Sequence, residues 1–297
     1  MPIHSLVVEA ITGQARFIQE PSYIPVVAEI GINHNGDINI AGEMIRGAAA
    51  AGCDVVKFQK RTVSTVYPSP LLDSPRESPW GTTQRDQKEG LELDNQEYFE
   101  LKDEAESAGV LLAASAWDLE SLEFVESLDP PFHKVASAMM THSGFLREVA
   151  STGRPIIAST GMMSIEDIET ALDVLRDSSA PIVLLHTVSL YPCPEDLLNL
   201  MAIPMLAERF DLPVGYSGHE PSLSPSILAM GLGAVMLERH VTTNRTMYGS
   251  DQAASLEMRG LRDLVSAARK WPSARGNGEK RMMPGEEEVA RKLRYWE

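Results

Sequence analysis

Eight short apolar runs recur along the chain, at 26–30, 54–58, 110–114, 132–136, 155–158, 181–185, 213–216 and 234–237. Each is followed by a polar cluster, a helical stretch, and a Gly or Pro before the next run. Strands buried on both faces read as continuous apolar runs, and their alternation with amphipathic helices predicts a parallel sheet. Helices are predicted at 40–51, 95–108, 118–128, 142–152, 164–178, 196–210, 221–232 and 254–271. Eight strand–helix pairs close an α/β barrel, the (β/α)8 TIM barrel, over residues 25–271. An open doubly wound sheet would use fewer strands and a glycine-rich first turn, and Gly31-Ile-Asn-His-Asn-Gly36 does not match GxGxxG.

Three stretches break the rhythm. Residues 1–24 alternate weakly through Leu6, Val8, Ala10, Ala15 and Phe17 around Thr12-Gly13, which predicts a short N-terminal β-hairpin plugging the lower end of the barrel. Residues 60–94, with Pro68, Pro70, Pro75, Pro79, Trp80 and Gly81, show no clear strand or helix. An insertion of that length after the second strand is expected to cover substrate on the active rim. Residues 272–297 are a charged C-terminal tail ending in a short helix.

Of 297 residues, 43% are apolar and 23% charged, the proportions of a globular domain. The net charge of −16 argues against nucleic acid or an anionic membrane as partner, and it requires that any small anionic substrate find a local basic pocket. The two cysteines, Cys53 and Cys193, make neither a disulfide framework nor a metal cluster, which points to a reducing cytoplasm. The N-terminus lacks the signature of an export signal, and no apolar run approaches the ~18 residues of a membrane span.

Barrel enzymes assemble their sites at the C-terminal ends of the strands. The polar residues at those ends are Glu29, Lys57 with Gln59, Ser115, Lys134 with Ser137, Ser159 with Thr160, His186, Ser217 with His219, and Glu238 with His240. Lys57 and Lys134, beside hydroxyls and glycine-containing turns in an acidic chain, suit a phosphate or carboxylate. His219 and His240, at the ends of consecutive strands, fit a two-ligand divalent metal site or, equally on spacing, a pair of hydrogen-bonded core histidines. His34 and His186 read as core histidines, the methionines as packing residues. Ser159 lacks the GxSxG context of a serine hydrolase.

Taken in order, the stretches Ala28-Glu-Ile-Gly-Ile-Asn-His-Asn-Gly-Asp37, Val56-Lys-Phe-Gln59, Lys134-Val-Ala-Ser137, Ser159-Thr-Gly-Met162, Leu185-His186 with Tyr191-Pro192, Ser217-Gly-His219, Leu237-Glu-Arg-His240 and Gly249-Ser-Asp251 resemble the sialic acid synthase family. The resemblance implies a TIM-barrel transferase that condenses phosphoenolpyruvate with an aldose, giving a 3-deoxy-2-ulosonic acid and phosphate. It implies a divalent metal, manganese foremost with magnesium or cobalt as substitutes, held by His219 and His240. Lys57, Ser115, Lys134, Ser137, Ser159 and Ser217 would hold phosphoenolpyruvate. Glu29, Gln59, Tyr191 and Asp251 would face the sugar, with Asp251 also reaching the metal through water.

Three departures from the family pattern fall on the sugar side. Met139 stands where the family has a glutamate, and a thioether cannot carry a proton. The chain stops where the family's C-terminal antifreeze-like domain would begin, so a homo-oligomer, dimer or tetramer, is expected to use barrel surfaces. The loop 78–88 differs from that of familiar members. Arg85, Lys88 or Arg245 is therefore expected to meet a phosphate or carboxylate on the acceptor. The alternatives are a non-catalytic sugar-binding or regulatory barrel, and a Schiff-base aldolase using Lys134.

Overall fold

A computed structural model describes residues 23–296. The predicted N-terminal hairpin lies outside the described residues. The eight apolar runs form the strands β1 (Val26–Gly31), β2 (Val55–Lys60), β5 (Leu111–Ala116), β6 (His133–Val135), β7 (Ile156–Ser159), β8 (Ile182–His186), β9 (Val214–Gly218) and β10 (Leu237–Thr242), with β3 (Pro75–Ser78) and β4 (Gly81–Thr83) a separate hairpin and β11 (Leu256–Glu257) a short addition to β10. The parallel ladder runs β5-β2-β1-β10-β9-β8-β7-β6, and β5 meets β6 at the seam of a nearly closed barrel. The last run is the least well anticipated: its strand begins three residues later than the apolar pattern, so His240 lies within β10 and not beyond it.

The helices between strands start and stop on local chemistry. Asp37, Asp94, Asp118 and Ser164 cap the helices Ile38–Ala51, Asn95–Ala108, Leu119–Ser127 and Ile165–Leu175 by accepting N–H groups of the first turn. At the lower end, the buried Asp54 carboxylate accepts the Val26 N–H at 2.7 Å and Arg269 Nη2 at 2.8 Å, tying β1 to the helix Met258–Arg275.

Side chains two apart on a strand share a face, so the interior can be read in layers. The lower layer is apolar, formed by Val27, Val55, Ala113, Phe132, Ile157, Val183 and Met236. Two residues further along most of those strands stand Glu29, Lys57, Ser115, Lys134, Ser159 and Glu238, all buried. The apolar layer excludes water from below, and the polar layer above it forms the floor of a cavity.

The segment 60–94 departs from expectation. It carries the helices Val63–Val66, Ser69–Leu72 and Gln84–Gly90 and the antiparallel pair β3–β4. These elements are too short for a hydrophobic period to register, and two prolines that read as breakers sit at a helix start, where proline is tolerated. Trp80 is clasped at Gly90, where a Cβ would come within 2.1 Å of the indole, and its ring meets Tyr248 edge-on at 5.6 Å. At the other terminus, the helix Glu286–Leu293 buries no residue. Among the described residues no helix is long and apolar enough to cross a membrane.

Candidate active site

The strand ends enclose a cavity of about 220 Å³. Strand register places Glu29 opposite Lys57 on one side and His240 on the other. Lys57 Nζ lies 2.5 Å from Glu29 Oε2 and 3.8 Å from Glu238 Oε2, and it donates to Ser115 Oγ at 3.1 Å. Lys134 Nζ donates to Ser159 Oγ at 2.8 Å and lies 3.5 Å from Glu238 Oε1, which also accepts from Ser217 Oγ at 3.1 Å. Glu238 therefore stands between the two ammonium groups.

Burial raises the pKa of Glu238, but Lys134, Lys57 and His240 outweigh it and hold it at about 2. The two amines differ from one another. Burial works against the charge on Lys57 and is overcome by Glu238 and Glu29, so its pKa rises. Burial prevails at Lys134, whose pKa falls despite Glu238. Further round the wall, Ser137 Oγ accepts the Gly161 N–H at 3.0 Å. A Cβ at Gly161 would lie 2.3 Å from Ser189 Oγ and 2.8 Å from Ser137 Oγ, so the glycine lets two hydroxyls approach one backbone N–H.

The imidazoles of His219 and His240 form the opposite wall, with ring centroids 5.3 Å apart. Tyr191 packs at 4.0 Å from His219 and 5.6 Å from His240. His219 Nδ1 is 2.7 Å from the Val188 carbonyl, which assigns the proton to Nδ1 and leaves Nε2 as a lone-pair donor. Burial first, and then His240, pushes the pKa of His219 down to about 3, so the ring is neutral. His240 Nδ1 is buried without a hydrogen-bond partner, 3.7 Å from Asp251 Oδ2.

A second network supports these rings from outside. Arg239, between Glu238 and His240, points away from the cavity and pairs with Glu220 at 2.9 Å, both side chains wholly buried. It also donates to Ser226 Oγ and the Ser222 carbonyl, each at 2.9 Å, and Glu220 accepts from Tyr216 at 2.8 Å. On the insertion side, Gln59 donates to Glu29 at 2.9 Å and accepts from Arg61, whose Nε lies 3.2 Å from Glu92.

Over residues 44–280 the sequence matches the NeuB family. The chain belongs to the NeuB family. The N-acetylneuraminate-9-phosphate synthase of Homo sapiens is 37% identical over 278 residues, covering 93% of this chain and 77% of the relative. The N,N'-diacetyllegionaminic acid synthase of Legionella pneumophila is 33% identical, covering 86% of this chain and 74% of that one. Among solved structures, the N-acetylneuraminic acid synthetase of Leptospira borgpetersenii in complex with citrate superposes with a TM-score of 0.80 at 29% identity, over 92% of this chain and 93% of that one. This NeuB-family chain is accordingly an enzyme, not a non-catalytic barrel, and its synthase relatives share its architecture.

Eleven side chains singled out in the sequence line the NeuB-family cavity: Glu29, Lys57, Gln59, Ser115, Lys134, Ser137, Ser159, Tyr191, Ser217, His219 and His240. Asp251 does not; its Oδ2 lies 3.7 Å from His240 Nδ1. Met139 packs in the hydrophobic layer between strands and helices, and the wall there is Ala136, Ser137 and Ala138. His34 and His186 are buried and bonded to the backbone, as expected of core histidines. Arg85 is committed to Asp73 and Arg245 to the carbonyls of Ser255 and Pro221. Sequence reasoning passed over the central place of Glu238, though it lies two residues before His240 on the same face. Trp117 also lines the cavity, and nothing in the local pattern marks it.

Proposed function

We propose that this NeuB-family enzyme condenses phosphoenolpyruvate with an aldose, using a divalent metal, to give a 3-deoxy-2-ulosonic acid and inorganic phosphate. The observation that carries this reading is the placement of two amines, each donating to a serine hydroxyl around one carboxylate, beside two imidazoles across a single small cavity.

Lys57, Lys134, Ser115 and Ser159 supply donors suited to the phosphate and carboxylate of phosphoenolpyruvate, with Ser137, Ser217 and the Gly161 N–H extending the cradle. Two imidazoles sharing one ion at about 2.1 Å have ring centres roughly 5 to 6 Å apart, which matches the His219–His240 separation. The orphaned Nδ1 of His240 is likewise a buried nitrogen in want of a partner. His219 and His240 would therefore hold the ion, manganese foremost, with Asp251 as an outer carboxylate. Bound there, it would supply Lewis-acid polarisation of the sugar aldehyde. Among the described residues no group of three or more His, Cys, Asp or Glu could hold an ion; two imidazoles alone would leave the other positions to water and substrate.

In the balanced reaction, C3 of phosphoenolpyruvate forms a bond to the aldehyde carbon, whose oxygen takes a proton. Water adds at C2 and gives up a proton, and the C2–O bond to phosphate breaks. Glu29 is better placed than Asp251 to receive the water proton, since it stands on the cavity wall. Gln59 holds it there through Oε1. Tyr191 and Gln59 would line the sugar side.

Phosphate release from phosphoenolpyruvate by the purified, Mn²⁺-loaded protein, screened over four- to seven-carbon aldoses, tests the reading. Release only with an aldose, with an ulosonic acid found by mass spectrometry, supports it. No release across the panel rejects it. The depressed pKa of Lys134 favours one rival, a Schiff-base aldolase. Borohydride trapping of pyruvate on Lys134, insensitive to chelators, would favour that rival. We further place the enzyme in the cytoplasm, since both cysteines are free and buried, and expect a dimer or tetramer.

A further inference from the structure

Arg61 follows the cavity residue Gln59 by two positions and lines no part of the cavity itself. Its buried guanidinium donates to the Gln59 side-chain carbonyl and, at 3.0 Å, to the Tyr67 hydroxyl. The same group lies over the ring of Trp117, 4.8 Å from the centroid, and Trp117 is a second lining residue. Glu92, distant in the segment 60–94, holds Arg61 from the other side. Its Oε1 lies 3.2 Å from Arg61 Nε, and its Oε2 accepts the Arg61 backbone N–H at 3.3 Å. Gln59 is fixed at its backbone as well, where the carbonyl accepts from the Tyr98 hydroxyl at 2.6 Å.

We infer that Arg61 is a positioning residue of the sugar-facing wall: it touches no substrate and fixes the side chains of Gln59 and Trp117, which line the cavity. The inference rests on the synthase reading of that cavity. A guanidinium carries donors only, so its bond to Gln59 ends on Oε1 and leaves Nε2 for Glu29. Glu29 Oε1 accepts from Nε2 at 2.9 Å, and Glu29 Oε2 lies 2.5 Å from Lys57 Nζ. The amide is thus tied at both ends, and Nε2 keeps a second N–H for a hydroxyl of the acceptor. Either bond alone leaves a side chain of several torsions free to pivot about it; the two together hold it. The place requires a planar group that donates at its edge while it stacks on an indole by its face. Lysine, a point charge on a flexible stem, cannot do both.

The test is whether Arg61 acts through Gln59. Arg61→Met strands Glu92, so each measurement is repeated with Arg61→Met and Glu92→Gln combined, which removes the pair as a unit. In phosphate release, kcat/KM for the acceptor should fall about tenfold or more, while the KM of phosphoenolpyruvate, held by Lys57 and Lys134, stays within about twofold. In a Gln59→Leu background the same change at position 61 should cost less than about threefold, because the residue it positions is already gone. Arg61→Lys should remain impaired to within about threefold of Arg61→Met. Losses that multiply across positions 59 and 61, an equal rise in both KM values, or native kinetics in Arg61→Lys overturn the inference. Nuclear magnetic resonance gives a reading without turnover. The Gln59 side-chain amide signal, assigned by its loss in Gln59→Leu, should move in Arg61→Met towards the position of a free glutamine amide. An unmoved signal overturns the inference as well. Should no aldose release phosphate while that signal moves, the synthase reading fails and the hold of Arg61 on Gln59 stands.

Discussion

Arg239 and Glu220 meet at 2.9 Å with neither side chain exposed, and each adjoins in sequence one of the two imidazoles that form the cavity wall. Glu220 follows His219 at the end of β9, and Arg239 precedes His240 within β10. The pair therefore fixes the separation of the rings from outside the barrel. Breaking a buried pair by removing one partner strands a charge and costs about 3 to 5 kcal/mol. Glu220→Gln is expected to lose stability in that range by urea unfolding and to weaken Mn²⁺ binding, measured by electron paramagnetic resonance, by about tenfold or more. Native-like stability and native-like metal affinity together would mean that the pair does not hold the rings.

Removing an imidazole acts on the metal and not on the fold. His240 Nδ1 has no hydrogen-bond partner, so removing the ring strands no polar group there. His240→Ala should keep the circular dichroism spectrum of the native chain, lose Mn²⁺ binding, and lower phosphate release at least about 100-fold. Chelation of the native enzyme should reproduce the loss, and added Mn²⁺ should reverse it. Activity that survives both treatments would rule out a metal at this wall.

His34 makes the fold sensitive to acid. Its Nδ1 accepts the Gly36 N–H at 3.1 Å, and burial lowers its pKa from 6.5 to about 4. The native pKa lies below the unfolded one, so the unfolded chain takes up the proton first. The stabilisation is complete above pH 6.5 and is lost as pH falls from 6.5 towards 4. Between pH 7 and pH 5 this amounts to about 2 kcal/mol. His34→Gln, which keeps an acceptor for Gly36, should reduce the pH dependence of urea unfolding by about that amount. An unaltered slope would show that His34 does not titrate with folding.

Gly90 holds Trp80 within the segment 60–94. A methyl at position 90 would fall within 2.1 Å of the indole, so Gly90→Ala must displace Trp80 from its contact with Tyr248. The tryptophan emission should shift to longer wavelength, and the domain should be destabilised by roughly 1 to 3 kcal/mol. An unshifted spectrum would show that the segment accommodates the methyl without moving Trp80.

The barrel was legible in the chain because its signals are local: an apolar run buried on both faces, a polar residue at its end, a capped helix, and a repeat of eight. Even the alternation that turns Glu29, Lys57 and His240 inwards follows from the period of a strand, as would have the place of Glu238. The tertiary structure decided what packing and low dielectric impose. Lys57 and Lys134 read alike in sequence, yet Glu29 and Glu238 raise the pKa of one while burial lowers that of the other. Arg61 found its carboxylate partner only when Glu92, at the far end of the segment 60–94, came beside it, and Arg239 became a brace for the imidazoles only when β9 and β10 came side by side. Chain periodicity specifies which face a residue occupies; the charge it meets there comes from strands and loops distant in sequence.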